Sequence, residues 1–312
     1  MPIESSVAKA SRTLLPVESS VAKASRTLLP VELFQLILDF ADFLTQIRLQ
    51  CVNKLFYEKL IIRNFCTNRY YSRFLTDDVL GAYPFITELY VSNNPDVTNI
   101  DHLTRLEVLY AGFSSGLNDM RIANLNLKEL GVTHNPVIKN IGHMTNLEIL
   151  HADGFSCITD AYISALTNLK ELHVSDNTRI TYVSHLTNLQ ILQAGGNSGI
   201  DDDGIRNLDL KSLNVANNPN ITNVNHMTNL CVLNAIGTSG INDDGIQNIN
   251  PEELYVSGNP NISKIGHMYK LKVLHAHGPS GVSDAHIACL KLCNLQSWNN
   301  KKITKKIDKG NY

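Results

Sequence analysis

Residues 86–126 read ITELYVSNNPDVTNIDHLTRLEVLYAGFSSGLNDMRIANLN, and most of the remaining chain restates them. Further blocks begin at Leu127, Leu169, Leu210 and Pro251, with a partial block at Leu292, at steps of 41, 42, 41, 41 and 41 residues. Repetition at a fixed period predicts stacked units that share one continuous core. Each block splits into halves of 20 to 22 residues, marked by Leu89, Leu109, Leu130, Leu150, Leu172, Leu192, Leu213, Leu233, Leu254, Leu274 and Leu295. Each half opens LxxLx(V/A). The residues on either side of the marker leucine alternate with it, as a short half-buried strand requires. A turn and a second apolar stretch follow.

A period in the low twenties with this spacing resembles the leucine-rich repeat. Asn94, Asn135, Asn177, Asn218 and Asn259 fall five positions after a marker leucine. A buried amide both donates and accepts, so these five are expected to satisfy backbone groups where the chain leaves the strand, as a structural asparagine ladder. The halves differ. The first continues as NPxITxIxH(L/M)TN and resembles the short repeats of internalin-like proteins. The second continues as SGIxDxxIxxL and resembles the repeats of F-box leucine-rich-repeat proteins. In the second, Asn118, Thr159, Asp201, Asn242 and Ser283 are suited to helix N-caps. Asp119, Asp160, Asp202, Asp243 and Asp284 follow them and favour a helix N-terminus electrostatically. The expected fold is therefore α/β: a leucine-rich-repeat solenoid with a curved parallel sheet inside and short helices or 3₁₀ turns on the outer face.

Composition narrows the function classes. Of 312 residues, 27 are Lys or Arg and 29 are Asp or Glu, for a formal charge of −2. That balance provides no bulk attraction to nucleic acid or to an anionic membrane. Charged residues are only 18%, against roughly 25% in ordinary soluble domains, while 43% are apolar, enough for a continuous core. Asparagine is the excess: 34 residues, none before Asn53. The six cysteines form no CxxC pair, so neither a disulfide framework nor a zinc pattern is expected. No apolar run is long enough to span a bilayer and no signal peptide is visible, so an intracellular, cytoplasmic chain is expected.

The column just after the marker leucine is expected to face the concave side. It reads Tyr90, Tyr110, Gly131, His151, His173, Gln193, Asn214, Asn234, Tyr255, His275 and Gln296, with no Lys, Arg or acid. Nucleic-acid binding would need a basic stripe, and catalysis a nucleophile–base set; neither is present, so no catalytic residue is assigned. Tyr and His offer amphipathic contact area that suits a protein partner. A merely solvated sheet face is the alternative. The flanking column carries Glu88, Glu129, Glu171 and Glu253 on one strand type and Val108, Ile149, Ile191, Val232 and Val273 on the other. A second histidine column, His102, His143, His185, His226 and His267, recurs once per block. Strands stack about 4.8 Å apart, so those imidazoles lie roughly 10 Å from one another, too far to share a metal held at about 2.0–2.1 Å. No metal or cofactor is expected. NNKKITKKI, from Asn299, aligns with NPxITxI and reads as a polar terminal cap, with a basic tail as the alternative.

Ahead of the repeats, residues 4–18 recur identically as residues 18–32, a duplication expected to be disordered. From Leu29 the chain reads LPVELFQLILDFADFLTQIRLQCVNKLFYEKL. Pro30 suits a helix start, with Glu32 near its positive end. Leu33, Leu36, Ile37 and Phe40 fall at helical spacing, and Ile47, Leu49, Val52, Leu55 and Phe56 suggest a second helix. Leu29, Pro30, Glu32, Ile37, Leu38, Val52, Asn53, Lys54 and Phe56 resemble the F-box. The chain as a whole resembles the F-box/leucine-rich-repeat family, and its regular, asparagine-heavy repeats also resemble proteins of large DNA viruses of amoebae. The expected organisation is a duplicated segment at 1–27, an all-helical F-box-like unit at 28–75, the repeat array at 76–300, and a truncated last repeat or polar cap at 301–312.

The resemblance implies a substrate receptor of a cullin–RING ubiquitin ligase, not itself an enzyme, monomeric on its own, in the cytoplasm or nucleus (of a host, for a viral protein). Leu29, Pro30, Glu32, Leu33, Ile37, Leu38, Val52 and Phe56 would dock the ligase's linker subunit. Tyr90, Tyr110, His151, His173, Gln193, Asn214, Asn234, Tyr255 and His275 would hold a target protein. A protein-binding scaffold outside any ligase is the alternative.

Overall fold

The computed structural model describes residues 75–304 together with 35, 45, 46, 62, 64, 65, 72 and 73. The N-terminal copies, the F-box-like positions Leu29, Pro30, Glu32, Leu33, Ile37, Leu38, Val52 and Phe56, and the tail beyond Thr304 lie outside the described residues.

The chain forms two compact units, Met1–Leu130 and Gly131–Tyr312. In the first, β1 (Asn64–Phe65), β2 (Glu88–Tyr90) and β3 (Val108–Tyr110) pair in parallel. Among the described residues the first strand of this sheet is β1, at Asn64. Between these strands lies α1 (Asp77–Gly81), and α2 (Asp119–Ile122) follows them. Strand β4 (Glu129–Gly131) spans the division. The second unit holds β5 (Ile149–His151), β6 (Glu171–His173), β7 (Ile191–Gln193), β8 (Ser212–Asn214), β9 (Val232–Asn234), β10 (Glu253–Tyr255), β11 (Val273–His275) and β12 (Asn294–Gln296). Each pairs in parallel with the next, marker leucine beside marker leucine, as Leu172 beside Leu192. Helices α3 (Asp160–Ile163), α4 (Asp202–Ile205) and α5 (Asp284–Ile287) and a 3₁₀ turn (Asp244–Ile246) stand where the second half-unit places them. One strand per half-unit, and a short helix in every second one, make this a leucine-rich-repeat solenoid.

The reason for three-residue strands is visible in burial. The marker leucines from Leu89 to Leu274 are fully buried while both neighbours stay half-exposed, except that Gly131 is buried. Two residues on, Val91, Ala111, Val132, Ala152, Val174, Ala194, Val215, Ala235, Val256 and Ala276 are also fully buried. Valine alternates with alanine, so large and small side chains interleave between successive coils, as close packing requires.

The expected asparagine ladder is present. Asn218 Nδ2 donates to the carbonyls of Ala194 (2.8 Å) and Ile200 (3.2 Å), and its Oδ1 accepts from Asn220 N–H at 2.9 Å. Asn259 repeats the pattern on Ala235, Ile241 and Asn261. Asn177 bonds Ala152 and Arg179, and Asn94 bonds Ser72, Leu75 and Asp96. Asn135 accepts from the N–H groups of Val137 and Ile138. Asn300 is a further rung, donating to Ala276 and Val282 and accepting from Lys302. The ladder thus reaches residue 300, the last residue of the expected array. In the alternate coils a buried serine stands six positions after the marker leucine: Ser156, Ser198, Ser239 and Ser280 each accept from the N–H two residues on.

The aspartate column does more than favour helix N-termini, and its main contacts are with the next coil. Asp160 Oδ1 accepts from the N–H groups of Thr181 (2.8 Å) and Tyr182 (3.2 Å), and Oδ2 accepts from Thr181 Oγ1 at 2.7 Å. Asp202 does the same with Thr222 and Asn223, and Asp243 with Ser263 and Lys264. For Asp243, partial burial alone would raise the carboxyl's pKa, but the three donors outweigh it and hold the group below the ordinary carboxylate value. Capping falls to the preceding residue. Asn118, Asp201 and Asn242 accept N–H groups of their helix or turn, whereas Thr159 makes no such bond.

Four positions after every marker leucine the backbone is left-handed: Asn93, Phe113, His134, Gly154, Asp176, Gly196, Asn217, Gly237, Gly258, Gly278 and Asn299. Asn, Asp, His and Gly tolerate this region; an aromatic residue does not. Phe113, at φ 55°, is the misfit. Phe113→Asn is expected to raise stability by up to about 1 kcal/mol, because the short polar Asn side chain visits this region more readily than a bulky ring, as an upward shift of the denaturation midpoint.

Candidate functional site

Because each strand buries its central leucine, the residues before and after it both lie on the open face of the sheet. In the first unit Tyr90 stacks on Tyr110, with ring centroids 4.4 Å apart and planes 14° from parallel. The Tyr110 hydroxyl donates to the Glu129 carboxylate. In the second unit His151 and His173 lie side by side on β5 and β6, centroids 4.1 Å apart and planes tilted 45°. Asn214 Nδ2 donates to Gln193 Oε1 at 2.7 Å, while Asn234 Oδ1 accepts from Ile236 N–H. Tyr255 meets His275 edge-on at 4.6 Å, and His277 lies 5.8 Å beyond.

In each unit the predicted column thus brings rings into contact, and in the second it also pairs the amides of Gln193 and Asn214. It is not isolated from charge. His173 Nε2 lies 2.6 Å from Glu171 Oε1, and Tyr255 donates to Glu253 Oε2 at 2.6 Å. The bond to Glu253, with burial, pushes the Tyr255 hydroxyl above the ordinary phenol value. Burial, and the nearby His277, hold His275 below the ordinary imidazole value. The face therefore carries hydrogen-bonded carboxylates beneath aromatic rings, and neither of its two columns contains a Lys or Arg.

One grouping on this face was missed in the sequence. Asp153 follows His151 by two residues on the same side of the chain. Its Oδ1 accepts from Ser175 N–H at 2.9 Å and its Oδ2 from Thr133 Oγ1 at 3.2 Å. One ligand atom each from His151, Asp153 and His173 can be chosen so that all three lie within 4.8 Å of one another. The histidines that recur every second coil lie roughly 10 Å apart. Here the two imidazoles come from adjacent strands.

Three of the histidines that recur once per block tie neighbouring coils together. Nε2 of His102, His226 and His267 lies 3.1, 3.2 and 3.2 Å from the carbonyls of Leu80, Ile205 and Ile246. His185 departs from the pattern: its ring lies parallel to that of Tyr182 and its Nε2 is buried without a hydrogen-bond partner.

Neither a protein-family model nor a curated protein matches this chain. Among solved structures it is similar to an internalin (inlF) from Listeria monocytogenes, at 20% identity over 74% of this chain and 77% of that one, with a TM-score of 0.47. It is also similar to the functional domain of InlJ from the same organism, which includes a cysteine ladder, at 20% identity, 70% and 55% coverage and a TM-score of 0.47. A third is the yeast Rad7 and Elc1 complex, at 14% identity, 73% and 67% coverage and a TM-score of 0.43. The assignment as a leucine-rich-repeat solenoid stands on the chain's own strands, ladder and turns.

Proposed function

We propose that this chain is a protein-binding adaptor that works as the substrate receptor of a cullin–RING ubiquitin ligase in the cytoplasm or nucleus. The observation that carries the binding half is the open strand face, with its half-buried Tyr and His rings in ordered contact and no catalytic constellation assigned to them. Rigid aromatics of this kind supply contact area at low entropic cost and dominate protein interfaces. The ligase half is supported by the F-box-like residues Leu29, Pro30, Glu32, Leu33, Ile37, Leu38, Val52 and Phe56, directly ahead of the repeats. They would dock the linker subunit by burying helix faces. Catalysis would belong to other subunits, and this chain would supply proximity.

A scaffold outside any ligase is favoured by one observation. Asp42-Phe43-Leu44-Thr45 stand where the F-box has an aspartate–leucine step, and Phe56 stands nearest to its late tryptophan. A pull-down with the full chain separates the two. The linker subunit should be retained by the parent protein and lost with Leu29→Ala/Pro30→Ala, while a co-purifying target is kept. Tyr90→Ala/Tyr110→Ala and Tyr255→Ala should instead weaken target capture, by on the order of tenfold each, and leave linker retention intact. If the parent protein retains no linker, the ligase reading falls and the scaffold reading stands.

A further inference from the structure

We propose that His151, Asp153 and His173 form a binding site for a divalent first-row transition-metal ion, with Zn²⁺ the reference case. The donors are two imidazole nitrogens and one carboxylate oxygen. Mg²⁺ and Ca²⁺ prefer all-oxygen sets, whereas imidazole favours Zn²⁺, Cu²⁺, Ni²⁺ or Fe²⁺.

The fold brings the three together. Residues 151 and 173 are partners in the β5–β6 register, and Asp153 sits two residues past His151. Their ligand atoms lie within 4.8 Å of one another. Zn–N and Zn–O bonds of about 2.0–2.2 Å in a tetrahedral site leave ligand atoms roughly 3.3–3.5 Å apart. Small side-chain rotations close that difference, and all three side chains are only half-buried.

The position of Asp153 is what distinguishes this place from the rest of the face. Three residues after each marker leucine the chain carries Ser92, Gly112, Thr133, Asp153, Ser175, Gly195, Ala216, Ile236, Ser257, His277 and Ser297. Asp153 is the single acid in that column, and it falls beside a pair of adjacent histidines. Its carboxylate is already oriented by Ser175 N–H and the Thr133 hydroxyl. His173 is oriented too. Glu171 Oε1 lies 2.6 Å from Nε2 of the ring, so an ion held by the other ring nitrogen would leave Glu171 as the outer carboxylate that metal-bound histidines usually carry. Asp153 and Glu171 together balance the charge of one divalent ion.

Three protein ligands leave a coordination position open, here toward the open strand face. Water, or a donor group from a partner on that face, would fill it. The site does not rest on the adaptor reading, and its test needs no partner. The full chain, stripped with EDTA, is titrated with Co²⁺ and followed by visible d–d absorption. A single Co²⁺ per chain is expected, with four-coordinate intensity, displaced by Zn²⁺ and untouched by excess Mg²⁺. His151→Ala and His173→Ala should abolish the signal, Asp153→Asn should weaken binding at least tenfold, and Glu171→Gln should weaken it about 10–100-fold. His102→Ala and His226→Ala, on the outer turn, should leave it unchanged. Far-UV circular dichroism checks that each variant is folded, and His151→Asn replaces His151→Ala if that variant is not. Absence of saturable Co²⁺ binding overturns the proposal, as does a signal that survives His151→Ala/His173→Ala. Neither result touches linker or target retention.

Discussion

Asn218→Asp is expected to destabilise this protein more than Asn218→Ala, although aspartate is the closer match in shape. The Asn218 side chain is fully buried. Its amide nitrogen donates to the carbonyls of Ala194 and Ile200, and its oxygen accepts from Asn220 N–H. Alanine leaves three backbone groups without a partner in a dry interior, at about 1–3 kcal/mol each. Because the coils can relax, roughly 3–5 kcal/mol is the expected loss. Aspartate keeps the bond from Asn220 but turns an oxygen toward two carbonyl oxygens and buries a charge that nothing neutralises. Urea denaturation followed by circular dichroism measures both. Stability in a repeat array is a sum of local and nearest-neighbour terms, so the transition should broaden as well as shift. An Asn218→Asp midpoint equal to the parent's would mean that the amide's two donor bonds contribute nothing.

Gly240→Ala is the second large effect. A Cβ at this position would stand 2.3 Å from the Pro219 carbonyl oxygen and 2.8 Å from that of Ile221. Both are backbone atoms of the preceding coil, so no side chain can swing aside and the coils themselves must part. Overpacking of this kind costs about 1–3 kcal/mol, read as a lowered thermal midpoint. Gly281 meets Pro260 and Ile262 in the same way, and Gly199 meets Thr178 and Ile180. The coil that begins at Leu150 carries Cys157 at this place, with its thiol donating to the Pro136 carbonyl at 3.1 Å. An alanine methyl cannot make that bond. If Gly240→Ala melts with the parent, the glycines of the SGI stretch are not spacing the coils.

The repeats were legible because period and burial coincide. The 20–22-residue spacing places the strands from β2 to β12, though not β1, and the fifth position after the marker leucine places the ladder. Asn300 was read as part of a cap because the lysines around it hid the amide, though the same count of five from Leu295 reaches it. The left-handed column was not legible, since it is a property of the backbone shared by Asn, Asp, His, Gly and even Phe113. The aspartates illustrate a different limit. Their place beside a helix N-cap is local and readable, but the contacts that use both carboxylate oxygens lie about 20 residues away, in the next coil. The open face was readable as a column, whereas the trio of His151, Asp153 and His173 required knowing which strands lie side by side.

The alternation of asparagine and serine coils has a consequence for how such a chain can change its length. Asn218 finds its acceptors in a serine coil, where the chain bends around Ser198; Asn259 finds its own around Ser239. A copying error that adds or removes one coil sets like against like and leaves a seam where neither partner fits. An error of two coils, about 41 residues, restores every contact on both sides of the junction. Inheritance can therefore lengthen or shorten this molecule only in pairs of strands, and each surviving step widens or narrows the open face by about 10 Å.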